Sequence, residues 1–350
     1  MTGILSASCP MPKMDFDIIT LGHGSGGLLT NQLLDTGVFN VLKNKYLDTR
    51  HDGAILPIRD NKIAFTTDSF VITPIFFPGG NIGDLAINGT VNDIAMCGAK
   101  PAYLSLSFIL EEGLKMTELW EILLTIKKAA DHAQVPIVTG DTKVVEKGKG
   151  DKIFINTTGI GYIHPKALFN SDRIEKGDAI VVSGHIANHG ITIMSQREGL
   201  EFESDILSDT RSLHHNVWTV LEEFGHAIKI MRDPTRGGVA TVLNELARDA
   251  QLGIKIAEEH LPVIPQVTGA CELLGLDPLY VANEGLFVAV VDSSIKDAFV
   301  KTLRSMPETR DATIIGEVSS KHPGKVVMKS GIGGLRVINM LAGDQLPRIC

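Results

Sequence analysis

The stretch Tyr103-Leu-Ser-Leu-Ser-Phe-Ile-Leu110, then 117–133 (TELWEILLTIKKAADHA), then Val135-Pro-Ile-Val138 carries the first clear architectural signal. The first segment reads as part of a strand over 101–110. The second is an amphipathic helix capped by Thr117, and the third is another strand. A strand, a helix and a strand in succession point to a mixed α/β fold. The pattern extends in both directions. Residues 63–72 alternate as a strand, Phe77-Pro-Gly-Gly80 breaks it, and Asn81 caps a helix to about Met96 with Gly98 as its stop. Residues 152–163 read as a further strand. Toward the N-terminus, 16–21 reads as a short strand or extended arm, followed by Gly22-His-Gly-Ser-Gly-Gly27 and a helical segment over 28–34.

Residues 164–178 lose apolar periodicity and carry Pro165, Asn170-Ser-Asp172 and Lys176-Gly-Asp178, which marks a domain boundary. The second half restarts with a strand at 179–183 and helices over 188–198 and 212–224. A third helix runs from Thr235-Arg-Gly-Gly238 to Ala250, with Thr235 as its cap, and a fourth spans 265–274. A strand lies within 280–291, a helix spans 295–305 and a strand 313–319. The division expected is an arm with the glycine-rich loop (1–42), an N-terminal α/β domain (43–166), a C-terminal α/β domain (174–335) and a mobile tail (336–350). With 350 residues the chain is long enough for two ordinary domains.

Composition narrows the function classes. The chain is 44% hydrophobic and 21% charged with a net charge of −8, and its Lys and Arg are scattered without a basic run. That argues against non-specific binding to nucleic acid or anionic membranes. No apolar run approaches the ~20 residues of a membrane span, and the N-terminus lacks the pattern of a signal peptide. Met11 and Met14 leave a later start open. Cys9, Cys97, Cys271 and Cys350 form neither a CxxC pair nor a disulfide framework, so a reducing, cytoplasmic setting is expected. Cys97 and Cys271 sit in apolar helical patterns as core residues.

Several polar residues interrupt apolar company, where an isolated carboxylate is costly unless paired, capped or metal-bound. Asp68 ends a β-branched run, Asp93 is the acid of an apolar helix, and Asp141 follows a strand in Thr139-Gly-Asp-Thr-Lys143. Three such acids at the ends of core elements fit an oxygen-ligand set for Mg²⁺, with Asp52 a weaker fourth member. The glycine loop is open to three readings: a dinucleotide fingerprint (Gly22, Gly24, Gly27, with Asp48 downstream), a loop whose N–H groups close over phosphates, or a flexible turn. Arg236 with Gly237 at a helix start suits an anion. Glu284 in Asn283-Glu-Gly285 sits between apolar segments, where a glutamate can act as a general base. The chain stops on Leu346-Pro-Arg-Ile-Cys350, a thiol at the terminus with Arg348 on the same side of an extended backbone. From Arg336 onward such a tail would reach roughly 50 Å.

Taken together, these motifs resemble the HypE family of nickel–iron hydrogenase maturation proteins, within the aminoimidazole ribonucleotide synthetase-like superfamily. They are His23-Gly-Ser-Gly-Gly27, Thr67-Asp-Ser-Phe70, Phe76-Phe-Pro-Gly-Gly80, Asn92-Asp93, Thr139 to Val145, Asp233 to Gly238, Asn283 to Gly285 and Pro347 to Cys350. Residues 1–14 and the His51-Asp52 pair depart from the pattern, which puts metal binding by Asp52 in doubt.

The resemblance implies an N-terminal domain whose sheet builds a homodimer, and ATP with Mg²⁺ in a cleft between the domains. Gly24, Gly26, Gly27, Asp68, Asn92, Asp93, Asp141, Thr142, Thr235, Arg236 and Gly237 would contact the nucleotide, with Mg²⁺ on Asp68, Asp93 and Asp141. The carbamoyltransferase HypF would load Cys350 with a carbamoyl group, and the thiocyanate made there would pass to a HypC–HypD complex. ATP would phosphorylate the carbamoyl oxygen, turning a poor leaving group into phosphate. Lys143 would steady the phosphoryl group or move a proton, Glu284 would take the N–H proton, and Arg348 would offset the terminal carboxylate. The rivals are a non-catalytic carrier of the loaded thiol, another ATP-dependent member of the superfamily making an aminoimidazole or a selenophosphate, and a dinucleotide-dependent dehydrogenase.

Overall fold

The structure is a computed structural model, and it describes residues 27–32, 35, 54–58, 61–200 and 206–341. The expected strand at 16–21, Gly22, Gly24, Gly26, Asp48, Asp52, Arg348 and Cys350 lie outside the described residues, as do residues 1–14. In the first half the elements are α1 (Leu28–Gln32), β1 (Ala54–Ile58), β2 (Asn61–Phe70), β3 (Phe76–Phe77), β4 (Gly80–Asn81), α2 (Ile82–Met96), β5 (Ala99–Glu111), α3 (Met116–His132), β6 (Ile137–Val145) and β7 (Ile153–Ile163). The second half has β8 (Ala179–Val182), α4 (Asn188–Glu198), α5 (His214–Phe224), β9 (Ile228–Arg232), α6 (Gly238–Ala250), β10 (Gly253–Ala257), α7 (Pro265–Leu274), β11 (Val288–Val291), α8 (Lys296–Arg304), β12 (Thr313–Ser319), β13 (Val326–Lys329) and β14 (Leu335–Ile338).

Asn81 starts α2 as expected: its side chain accepts from Gly83 N–H at 2.7 Å, and Asp84 reaches back to the Asn81 N–H at 3.1 Å. This capping box satisfies two of the orphan donors that every helix start exposes. The helix then lies across a five-stranded sheet of order β1-β2-β7-β5-β6. Gly159 and Gly161 on β7 face it: a methyl at either position would sit 2.5 or 2.3 Å from the Ile94 side chain. The two glycines therefore let α2 settle onto the strand, and Ile82, Leu85, Val91 and Ile94 are fully buried there. Helices cover this one face. The opposite face carries Phe65, Tyr103, Ile109 and Tyr162 exposed.

The second half is a seven-stranded sheet of order β14-β13-β10-β12-β8-β11-β9 with a core on each side. Its middle strands β8 and β11 are buried at every residue, as expected of strands covered on both faces.

Three expectations are corrected. Thr117 lies inside α3, whose first turn follows Lys115, and Glu118 supplies the acid that reaches back to the Lys115 N–H. Thr235 does not cap α6. Gly237 does, at φ +74°, where a side chain would be strained. The stretch expected to swing free from residue 336 begins as β14, paired antiparallel with β13 from Val326↔Ile338 to Lys329↔Leu335. The glycines at 331–334 are the turn of that hairpin. Strands β1, β9, β10 and β13 escaped the pattern reading because four or five residues are too few for a period to stand out.

Candidate active site between the two domains

The two domains meet through backbone hydrogen bonds gathered by a few buried amides and carboxylates. Asn92, from α2, donates to the carbonyls of Arg211 (2.9 Å) and Glu284 (3.2 Å), and its own carbonyl accepts the Leu213 N–H at 2.8 Å. A residue expected to hold nucleotide thus spends its amide on the chain and staples the second half to the first. Asn283 does similar work within the second half. It accepts from Ala187 N–H at 2.7 Å and donates to Pro234 O and Val281 O. Two motifs that looked separate in sequence, Asp233 to Gly238 and Asn283 to Gly285, are thereby one structural unit. Gly238 completes it, since a methyl there would meet the carbonyls of Leu279 and Val281 at 2.6 Å.

Around this junction stand the acids. Asp68 faces the helix side of the sheet, opposite Thr157 of β7, which is fully buried under α2 and hydrogen-bonded to Thr90. Asp93 accepts from Thr66 Oγ1 at 2.7 Å, and Thr66 is two residues from Asp68 on the same face of β2. Burial pushes the Asp68 carboxyl above the usual carboxylate range, against the opposing pull of the Arg236 charge and the Ser69 N–H. Arg236, on the exposed turn before α6, is thus close enough for its charge to act on Asp68 across the domain boundary. Glu284 is 5% exposed, and one of its carboxylate oxygens lies 3.9 Å from where a methyl on Gly89 would be. Gly89 is one turn before Asp93 on α2, so Glu284 and Asp93 share a side of that helix.

Asp141 does not join them. The β5–β6 pairing slips by one residue after Leu104, so that Ser105 pairs with Thr139 and Ser107 with Asp141. Ser107 also faces Asn156 on β7, the neighbour of Thr157, and adjacent strand residues point to opposite faces. Asp141 therefore lies on the open face of the sheet, away from Asp68 and Asp93. There Lys143 Nζ donates to both its oxygens, at 2.8 and 2.7 Å. That bond and the Thr142 N–H hold its carboxyl below the usual range. Among the described residues no three of His, Cys, Asp and Glu are arranged to hold a metal. A pair remains, and Mg²⁺ asks for little more: it commonly takes one or two carboxylates and completes its octahedron with phosphates and water. Asp68 and Asp93 fit that requirement, and a cation beside them would relieve the burial of the Asp68 charge.

Pattern reading passed over the segment 206–211 altogether. Asp209, 3% exposed, accepts from the backbone N–H groups of Glu284 (3.1 Å) and Gly285 (3.0 Å). Its partners are backbone groups 75 and 76 positions away, and no local signal encodes such a pairing. Cys97 and Cys271 are buried as expected, and burial pushes the Cys271 thiol up to about 12, which leaves it inert. Near the start of α1, Leu28 N–H donates to Leu341 O at 2.6 Å, and a methyl on Gly27 would be 2.5 Å from that oxygen. The end of the glycine loop is therefore seated on the residue that follows the last hairpin.

Residues 50–163 match the N-terminal domain of AIR synthase related proteins and 175–329 match the C-terminal domain of the same group. The chain is 47% identical over 332 residues to the carbamoyl dehydratase HypE of Azotobacter vinelandii, covering 95% of this chain and 97% of that protein. A solved HypE–HypF complex matches with a TM-score of 0.84 at 43% identity, over 88% of this chain and 99% of the matched one. A HypE structure in complex with ATP matches with a TM-score of 0.80 at 46% identity, over 95% and 100%. On a two-domain architecture, a shared arrangement of motifs and identity at this level along nearly the whole chain, this protein belongs to the HypE family.

Proposed function

We propose that this protein is an ATP-dependent carbamoyl dehydratase that converts an S-carbamoyl group on Cys350 into a thiocyanate, supplying cyanide for the nickel–iron hydrogenase site. The observation that carries the reading is the interdomain cluster of Asp68, Asp93, Arg236 and Glu284, in a chain 47% identical to a carbamoyl dehydratase. In the net reaction the carbamoyl carbon loses its oxygen, which leaves with the γ-phosphoryl group as inorganic phosphate, and the nitrogen loses both protons. ADP is the other product. Mg²⁺ bound by Asp68 and Asp93 would neutralise triphosphate charge. Arg236, whose charge acts on Asp68, would suit the phosphates. Glu284, buried against α2, would be the acceptor for an N–H proton, and the closed surroundings would protect an activated carbamoyl from water. The nine residues after Leu341 span roughly 30 Å at full extension, which is the reach Cys350 would have from that anchor.

Asp141 and Lys143 stand on the open sheet face with Phe65, Tyr103, Ile109 and Tyr162, while Thr142 between them pairs with Phe108 and turns to the helix side. The open face is a surface suited to a second copy of the chain, and Asp141 and Lys143 would touch nucleotide only from across that contact. HypF is the expected carbamoyl donor, a HypC–HypD complex the expected acceptor, and the cytoplasm the expected setting. Among the described residues no helix is long and apolar enough to cross a membrane.

The test is mass spectrometry of the C-terminal peptide after incubation with HypF, carbamoyl phosphate, ATP and Mg²⁺. A carbamoyl adduct on Cys350 that loses one water only with ATP supports the dehydratase. An adduct that persists makes the protein a carrier, and its absence removes Cys350 from the chemistry. Cys350→Ala is expected to abolish the adduct and leave ATP affinity unchanged.

A further inference from the structure

We propose that Asp209 is a positioning residue for the dehydration, fixing the backbone of Glu284 so that its carboxylate is aimed at α2. This rests on Glu284 as the proton acceptor. The Glu284 peptide is held at both ends: Asp209 takes its N–H at 3.1 Å and Asn92 donates to its carbonyl at 3.2 Å. The second Asp209 oxygen takes the Gly285 N–H at 3.0 Å, and a methyl on Gly285 would sit only 1.7 Å from the Asp209 carbonyl. Close approach of the two backbones is therefore built in, and the Glu284 backbone is fixed by it.

The segment bearing Asp209 is itself anchored on several sides. Arg211 donates to the Asp209 carbonyl at 2.9 Å and to Glu308 O at 3.0 Å. Asn92 holds Arg211 O and Leu213 N–H, and Ser208 N–H donates to Pro78 O at 2.9 Å. The Ser208 hydroxyl pairs with His189 Nδ1 at 2.8 Å. An anchored carboxylate accepting two buried N–H groups makes charge-assisted bonds, which are stiffer than neutral ones. In Asp209→Asn one oxygen becomes an NH₂ that opposes an N–H, donor against donor, so one of the two bonds is lost while volume is kept.

The experiment compares Asp209→Asn, Glu284→Gln and the double variant by single-turnover dehydration of carbamoylated Cys350, alongside ATP affinity. Misplacing the proton acceptor by about 1 Å predicts a rate about tenfold to a hundredfold lower in Asp209→Asn, with ATP affinity and carbamoylation by HypF unchanged. Because Asp209 acts through Glu284, the double variant is expected to be no slower than Glu284→Gln alone. An unchanged rate in Asp209→Asn overturns the proposal, as does multiplication of the two effects or a parallel fall in ATP affinity. A full rate in Glu284→Gln instead overturns the role of Glu284 itself. If Asp209→Asn does not fold, Asp209→Glu keeps both acceptor oxygens but displaces the Glu284 backbone by one methylene. A slowed rate with intact ATP affinity in that variant supports the proposal, and an unchanged rate overturns it.

Discussion

A carboxylate raised by burial is a cost the ligand-free protein carries for the sake of a ligand. Asp68 illustrates the sign. Its neutral form is the favoured one in the fold, so the stability linked to it is present below the unfolded pKa and is lost as pH rises through the raised one. Replacing Asp68 with Asn is expected to raise the Tm of the ligand-free protein by about 2–4 °C at neutral pH, read by calorimetry. The same variant should lose Mg²⁺-dependent ATP binding, and in the wild type that binding should weaken as pH falls through the raised pKa. His214 runs the other way. Both ring nitrogens are buried with no hydrogen-bond partner among the described residues, and burial, with the charge of His215 whose ring centre lies 3.9 Å away, pulls its pKa to about 3. Stability linked to it is present above ~6.5 and falls by up to ~1.4 kcal/mol per pH unit toward pH 3. Denaturant titrations of His214→Phe between pH 4.5 and 7 should show a flatter profile than wild type. Sequence singled out Asp68, Asp93 and Glu284 because an acid in apolar company must have a reason, and the structure brings them to the domain junction. The chain-holding bonds of Asn92 were not legible, because an amide looks alike whether it holds a ligand or the chain.

At the scale of elements, most helices and strands of the first domain followed from caps and periodicity, and the errors have identifiable causes. Asn81→Ala removes the cap of α2 and is expected to cost about 1 kcal/mol in denaturant unfolding. Gly161→Ala forces a methyl against Ile94 and the Lys100 carbonyl, and should cost about 1–3 kcal/mol by overpacking. The placement of Asp141 could not have been read. A single unpaired residue at the start of β6 turns every later side chain to the other face, and the sequence alternates the same way with or without it. Strands β9 and β10 were missed for a simpler reason: five residues are too few for a period to declare itself.

For the whole molecule, the two-domain division was readable from the polar interval after β7. The contact between the domains was not, because it is made by backbone groups that any sequence possesses. The open face of the first sheet leads to a separable expectation. If that face pairs two copies as proposed, Ile109→Lys together with Phe65→Lys should abolish the dimer in sedimentation while leaving each domain folded, and a wild type that sediments as a monomer would overturn the pairing.

The hydrogen bond from Leu28 to Leu341 ties the root of the glycine loop to the root of the C-terminal segment. Tension applied to the chain beyond residue 341 would therefore arrive at Leu28 before it could peel β14 from β13. A partner that tugs on the chain beyond Leu341 would be pulling a cord knotted to the end of the glycine loop.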